Sequence, residues 1–461
     1  MCEAADTVAR LAAALAEAGI GEGTRIAVIG ANSPWHYIVH VAASWLRAVT
    51  VPLSPRMPSP ALTSMCEQVG VSWVFLDEAS SRTHAPALSD AGAQVASFAD
   101  LSAWADRAAP IGHPPARCGT ELAAILFTSG STGTPRPVEL THEVMWWGST
   151  NFREGFDYAP TSSVVGVCAP ASHIGGFNGT SMDVWTHGGT LVTLGFPGSF
   201  DARGVIDAIE RYGITMMFAV PAIVRAILDE HERGGGDLSS WVRPLIGGDA
   251  MTADLTDAMR TVGLAPIHVW GMTETSGAGT VATPDSGAPA GSLGVPFPYV
   301  DLRLMATDER EAGVGELGEI WVRGPGVVSG DEWLRTGDLA TKDEDGWLHM
   351  VGRAHRMINT GGELVAPPTV ERALRSLDEV SDALVVGLSD ERWGQIVAAL
   401  IVPSPEGRAQ ASSMSTEALS EALSDAQAPW EKVRRVLIVD ALPTTTTGKP
   451  DPVAAARLFD S

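Results

Sequence analysis

Residues 126–133 read Leu-Phe-Thr-Ser-Gly-Ser-Thr-Gly, where an apolar run beginning at Ala124 breaks into a stretch made only of Thr, Ser and Gly. Glycines let successive backbone N–H groups converge on an anion, and neighbouring hydroxyls add further donors. Thr128, Ser129, Gly130, Ser131, Thr132 and Gly133 therefore form a candidate phosphate cradle. It is not the GxxxxGK[ST] nucleotide loop, because Thr134-Pro135-Arg136-Pro137 follows and supplies no lysine. Taken alone, such a run after a strand is more often an ordinary loop. The segments around it decide.

Composition narrows the ligand. The chain has 461 residues, 45% of them apolar, and a formal net charge of −24. Its mean hydropathy of +0.10 and pI near 4.8 are those of a soluble globular protein. No apolar run approaches the roughly 18 residues that a membrane span needs. The opening MCEAADTVAR carries acids where a secretory signal carries basic residues, so the expected location is cytoplasmic. The acidic excess opposes attraction to nucleic acid or to an anionic membrane, and neither is an expected partner. A phosphate ligand would be held by local donors, which favours a small nucleotide. Cys2, Cys66, Cys118 and Cys168 lie far apart with no metal-ligand spacing and read as reduced. Lysine occurs only at 342, 432 and 449, the other 28 of 31 basic residues being arginine.

Strands and helices alternate through most of the chain. Val8, Leu11, Ala12 and Leu15 fall at helical spacing, with Gly19 as a stop. Strands are predicted at 25–29, 49–53, 72–76, 214–219, 244–246 and 266–270, and helices near 38–46, 202–212 and 222–231. Such alternation predicts parallel sheets covered by helices on both faces. After about residue 290 short strands and turns take over, with a strand at 318–323 and a hairpin at Asp345-Gly346. From Pro367, Val370, Ala373, Leu374 and Leu377 open a small α+β unit. The expected organisation is a large domain over 1–352 and a small one over 353–461, with the boundary around Gly352 to Arg356, just past the hairpin. The polar stretch 404–416 reads as a surface loop.

Four more segments follow the Gly/Ser/Thr run in order: Val269-Trp270-Gly271-Met272-Thr273-Glu274, Arg335-Thr336-Gly337-Asp338, Gly352-Arg353 with Asn359-Thr360-Gly361-Gly362-Glu363, and Pro443 to Lys449. Each is weak alone. Five in order over nearly the whole chain resemble the motif series of the adenylate-forming superfamily of acyl-CoA ligases, amino-acid adenylation domains and luciferases, in its acyl-CoA ligase branch. The resemblance implies that a carboxylate attacks the α-phosphorus of ATP, and that a thiol then takes the acyl group from the adenylate. Under it, Thr128 to Gly133 hold phosphates, Thr273 binds the α-phosphate and Glu274 holds Mg²⁺. Trp270 and Gly247-Gly248-Asp249 flank the adenine, while Asp338 and Arg353 take the ribose. Lys449 bridges carboxylate and α-phosphate as a compact point charge. Gly361, Gly362 and Glu363 match the loop against the pantetheine arm of coenzyme A, and a carrier-protein phosphopantetheine would suit the same loop.

The acid is read from Ala169-Pro170-Ala171-Ser172-His173-Ile174-Gly175-Gly176, which resembles the PLxHxxG stretch of acyl- and aryl-CoA ligases, with His173 beside the incoming carboxylate. Amino-acid-activating relatives carry Asp where Ile174 stands, and an unpaired buried ammonium costs several kcal/mol. A small-molecule, non-amino acid is expected. Gly175, Gly176, Gly277 and Ala278 read as small residues widening a pocket for a bulky, apolar acid of the kind found in natural-product biosynthesis. Arg136-Pro137 departs from the usual Lys-Gly, and Pro137 cannot donate an N–H. That departure motivates a second reading, in which a separate adenylating enzyme supplies a preformed acyl-adenylate. A third is a non-catalytic adenylate-binding paralogue. The resemblance further implies a distorted β-barrel part in the large domain and makes 353–461 a mobile lid with its hinge near 353–356, where His355 replaces the family's usual Asp or Lys.

Overall fold

The computed structural model describes residues 2–114, 118–129, 135–196, 200–249, 251–361, 363–409, 430–445 and 450–459. By their contacts they form two units, Met1–Leu302 with Val322–Leu334, and Arg303–Trp321 with Arg335–Ser461.

The first unit is built on two mainly parallel sheets. In the first, β1 (Arg25–Ile29), β2 (Val49–Leu53), β3 (Trp73–Leu76), β4 (Gln94–Ser97), β5 (Leu122–Ser129) and β6 (Pro135–Thr141) stand in the order β4-β3-β1-β2-β5-β6. Alternation along β1 sends its side chains to two separate cores. Ile26 and Val28 join residues of α1 (Cys2–Glu17), α2 (Pro34–Trp45) and α5 (Phe98–Arg107), including Leu11, Val39 and Leu101. Ala27 and Ile29 face α3 (Ser59–Gln68) and α4 (Glu78–Asp90), with Leu62, Met65 and Leu88. A strand buried on both faces is apolar wherever it is covered, which is why 26–29 reads as a continuous run.

The second sheet has the order β13-β12-β11-β10-β9-β7-β8. Its strands are β7 (Val164–Val167), β8 (Thr190–Thr193), β9 (Met216–Ala219), β10 (Arg243–Gly247), β11 (Ile267–Trp270), β12 (Thr280–Ala282) and β13 (Val295–Pro296). β12 and β13 pair antiparallel at one edge. The helices are α6 (His142–Gly155), α7 (Ile174–Phe177), α8 (Thr180–Thr186), α9 (Ala202–Tyr212), α10 (Pro221–Gly234) and α11 (Ala253–Thr261). Ile206, Ile209, Val224, Ile227, Leu255 and Met259, from the last three, pack into one core.

Two buried histidines on α2 make this unit acid-sensitive. His40 Nδ1 meets Thr50 Oγ1 at 2.7 Å, and the ring edge lies on Phe177. Burial holds His36 down at about 4 and His40 at about 3. The unfolded chain binds protons at both below about pH 6.5, whereas the folded one does not, so stability present above that pH is lost on acidification. Across the full window the two contribute on the order of 3 and 5 kcal/mol respectively. The melting temperature is expected to fall steadily from pH 6.5 to 4. A melting profile flat over that range would contradict the assignment.

In the second unit, β14 (Asp301–Met305), β15 (Gly318–Arg323), β16 (Leu334–Lys342) and β17 (Leu348–Arg353) follow one another in a four-stranded sheet. The predicted hairpin joins β16 to β17: Asp343 N donates to Trp347 O at 3.0 Å, and Gly346 takes φ +89°. A second sheet holds β18 (Ile358–Thr360), β19 (Glu363–Val365), β20 (Val380–Asp390), β21 (Gly394–Pro403) and β22 (Arg435–Ile438). Val370 and Leu374 of α12 (Pro367–Arg375) close one core, and Ala455 of α14 (Pro452–Leu458) another. The stretch expected as a loop from 404 instead begins with a short helix, α13 (Pro405–Ala409). Ser404 starts it by accepting from Gly407 N at 3.0 Å. A serine before Pro-Glu is a helix start that polarity alone conceals. Among the described residues no helix is long and apolar enough to cross a membrane.

Candidate functional site

In the first unit the candidate residues share one property: each lies at or beyond the C-terminal end of a parallel-paired strand. Thr128 lies near the end of β5, His173 after β7, Gly248 and Asp249 after β10, and Thr273 and Glu274 after β11. The carboxyl ends of open parallel sheets are where ligands bind in α/β folds.

Thr128 opposes Arg136 across β5 and β6, and its Oγ1 donates to Arg136 O at 3.5 Å. Gly130, Ser131, Thr132, Gly133 and Lys449 lie outside the described residues, as does Gly362, and Ser129 is described only as backbone. Pro137 does not sit in the loop whose shape it was expected to disturb. It pairs with Phe127 in β6, the outermost strand of its sheet, two residues from Pro135. Outward-pointing positions of an edge strand lose no ladder bond to proline, and an edge so blunted resists pairing with other chains.

The Trp270–Gly279 turn is tightly wound. Thr273–Thr275 forms a single 3₁₀ turn, Gly277 N donates to Met272 O at 2.9 Å, and Gly279 N returns to Trp270 O at 3.0 Å. A Cβ on Gly271 would stand 2.1 Å from Gly277 O, so only glycine permits this crossing. Ser276 adopts φ +52°, which is uncommon outside glycine, and is fully buried. Asn178 stabilises it, donating from Nδ2 to Ser276 Oγ at 2.8 Å and to Met145 O at 3.1 Å. Trp270 is buried, and Gly279 lies against its ring. Thr273, Glu274 and Met272 are half-buried, while Gly248 and Asp249 are exposed. No group of three or more His, Cys, Asp or Glu gathers among the described residues, and Mg²⁺ is commonly held by one or two carboxylates together with waters and substrate phosphates.

His173 sits at the N-cap of α7 with extended backbone, its N–H donating to Pro170 O at 3.0 Å. The glycines after it are not the pocket wideners expected. A Cβ on Gly175 would stand 2.6 Å from the Phe218 ring, and one on Gly176 would stand 2.4 Å from Pro170 O. They let an aromatic ring and a turn of backbone come close, so the space is already filled. Gly277 differs: at φ +88° its Cβ position is 3.5 Å from Phe152 and 3.7 Å from Ile174, which brings those two apolar side chains to the Thr273 turn. Ala278 is buried. Phe218, on β9 between Gly175 and Gly247, was not singled out from the sequence, nor were Phe152 and Asn178.

The second unit carries its own share. Register places Asp338 opposite Arg353 on β16 and β17, and Arg353 Nε lies 2.7 Å from the Asp338 carboxylate, which is 3% exposed. Thr336 Oγ1 accepts from Asp338 N at 3.1 Å. Burial pushes His355 down, and the charges of Arg353 and Arg356 push it further the same way against the pull of Asp338. The β18–β19 turn holds Gly361 at φ +65°, its N–H donating to Trp393 O at 2.8 Å. Glu363 is exposed. Trp393 lies beneath the guanidinium groups of Arg392 and Arg434, 5.1 and 4.8 Å from its ring centre.

The family model described as AMP-binding enzyme matches residues 2–330, and that of the AMP-binding enzyme C-terminal domain matches 369–449. A feruloyl-CoA synthase from Amycolatopsis is 32% identical over 459 residues, spanning 96% of this chain and 90% of its own. An indoleacetate–CoA ligase from Aromatoleum aromaticum is 29% identical over the same shares of the two chains. Among solved structures, ATP-bound MatB from Rhodopseudomonas palustris superposes with a TM-score of 0.88 at 23% identity, over 100% of this chain and 93% of its own. The turn after β11, the Asp338–Arg353 pair and both family matches lead to one statement: this chain belongs to the AMP-binding enzyme family and is related to its acyl-CoA ligases.

Proposed function

We propose that the protein joins a flat, apolar, non-amino carboxylic acid to coenzyme A, using ATP and passing through an acyl-adenylate. The observation that carries the reading is the convergence of Ile174, Phe152 and Gly277 on the turn that bears Thr273 and Glu274. An apolar wall beside phosphate donors suits an acid with a hydrophobic body, and Ile174 supplies no carboxylate for an ammonium. The related feruloyl- and indoleacetate-activating enzymes act on aryl-bearing acids.

In this reading His173 orients the carboxylate, and Thr128 with the Thr/Ser/Gly loop and Thr273 hold the phosphates. Glu274 would hold Mg²⁺, whose charge offsets the approach of two anions. Asp338 offers the two-oxygen acceptor that suits vicinal ribose hydroxyls, with Arg353 beside it. Lys449 brings the mobile positive charge. The lid over 353–461 is proposed to rotate about 353–356 between the two steps and to bring Gly361, Gly362 and Glu363 to the thiol. Trp393 under two guanidinium groups favours coenzyme A over a carrier protein, since only the former brings a phosphorylated nucleotide. With Pro137 in an edge strand, a complete two-step reaction is the reading favoured here over a separate adenylating enzyme, and acid-dependent pyrophosphate release tests it.

The test is a screen of cinnamic-type, indole-acetic, fatty and amino acids with ATP, Mg²⁺ and coenzyme A, reading pyrophosphate and thioester mass. Thioesters of aryl-bearing acids are expected. Thioester from amino acids alone, or none with any acid, would refute the proposal. Phe218, whose ring lies against Gly175 two residues from His173, is proposed to extend this acyl wall, and replacing it by Ala is expected to shift kcat/KM by about tenfold towards bulkier acids, the scale set by pocket volume. An unchanged preference would remove Phe218 from the acyl wall.

A further inference from the structure

The segment bearing His173 joins β7 to α7, and part of what holds it comes from about 140 residues earlier in the chain. Asn32 lies between β1 and α2. Its Nδ2 donates to Val167 O at 3.0 Å and to Ala169 O at 2.8 Å, while its Oδ1 accepts from Ala171 N at 2.8 Å. Both amide hydrogens and the oxygen are used, and only this orientation of the amide satisfies all three partners. At the other end of the segment, the Tyr37 hydroxyl of α2 donates to Gly176 O. Tyr37 is 1% exposed, and burial pushes its pKa up, so the hydroxyl stays a donor. These anchors are themselves fixed. Asp77 accepts from Ala31 N at 2.8 Å, Ser33 caps α2 through Trp35 N, and the Tyr37 ring meets Trp185 edge-on.

We infer that Asn32 and Tyr37 are positioning residues for acid binding, clamping residues 169–176 at both ends so that His173 and Ile174 stand at a set distance from the Thr273 turn. The inference rests on the proposed placement of the acid against His173. Its physical basis is that the bonds go to the backbone of an irregular segment, which has few ladder bonds to hold its own shape. Side chains that reached the same loop only by apolar contact would allow it to slide.

Two variants separate positioning from plain stability. Tyr37→Phe keeps the ring packing and removes one hydrogen bond, and should raise KM for the acid about fivefold with KM for ATP and coenzyme A unchanged. Asn32→Asp replaces the Nδ2 donor by a carboxylate oxygen that faces two carbonyl oxygens, and should raise acid KM about 10- to 100-fold. In both, hydrogen exchange is expected to quicken over 169–177 while β2 keeps its protection. Wild-type KM for the acid in both variants, with only a lower melting temperature, would overturn the inference. If the wild-type chain forms no thioester with any acid, the proposed function fails and the acid-directed role fails with it. The exchange experiment then still decides the clamp, quickened exchange supporting it and unchanged exchange sinking it.

Discussion

Lys449→Ala is expected to lower acid-dependent pyrophosphate formation by about 10²–10³-fold, the cost of losing one charge placed where negative charge develops. The argument is electrostatic. As the carboxylate approaches the α-phosphate, two anions share one small volume, and a compact ammonium with three donors can bridge them. Arginine is the default cation of this chain, with lysine at only three positions, yet lysine stands at 449 between Gly448 and Pro450. Lys449→Arg is therefore expected to fail nearly as badly, because a planar fork does not fit where a point charge is required. Thioester formation from synthetic acyl-adenylate should stay within about threefold of wild type, since that step no longer joins two anions. An equal loss in both half reactions would show that Lys449 supports the fold or the thiol step and not the adenylation.

Gly176→Ala is expected to weaken acid binding strongly. The new Cβ would lie 2.4 Å from Pro170 O and 2.5 Å from Ala169 O, both backbone atoms that cannot swing aside as a side-chain tip would. Either α7 shifts outward or the turn before His173 opens, and both displace His173. Overpacking of this kind costs about 1–3 kcal/mol in stability, and the larger effect is on the site. KM for the acid should rise at least tenfold at temperatures where the variant is fully folded. Gly21→Ala serves as the control, because nothing lies within 4 Å of its Cβ position and its φ is not positive. Unaltered acid kinetics in Gly176→Ala would mean that the segment relaxes at no cost and that its geometry is not what matters.

These two expectations have different origins. The lysine is argued from its type, its neighbours and its place in a series of motifs, all of which are local in sequence. The glycine is argued from a contact that no local reading contains. Gly175 and Gly176 read as missing side chains, and hence as free space, when in fact a ring from β9 and the carbonyls of the preceding turn occupy that space. A glycine has the same sequence signature whether it opens room or admits a neighbour. Pro137 was ambiguous for the same reason, since a proline beside a glycine-rich loop reads as loop chemistry until its strand is seen to be the sheet edge.

Sequence alone determined the class of fold, because a continuous apolar run such as 26–29 and the 3.6-residue spacing of Val8, Leu11 and Leu15 record burial on two faces and on one. It also determined which side chains carry charge or donors, and in what order along the chain. Only tertiary structure decided that Asp338 and Arg353 stand opposite each other on a hairpin, that Ile174, Phe152 and Gly277 converge, and that Asn32 and Tyr37 hold the His173 segment. The reason is separation along the chain: hydrogen bonds and packing across 15 to 140 residues depend on strand register and crossover, which periodicity within one segment does not encode.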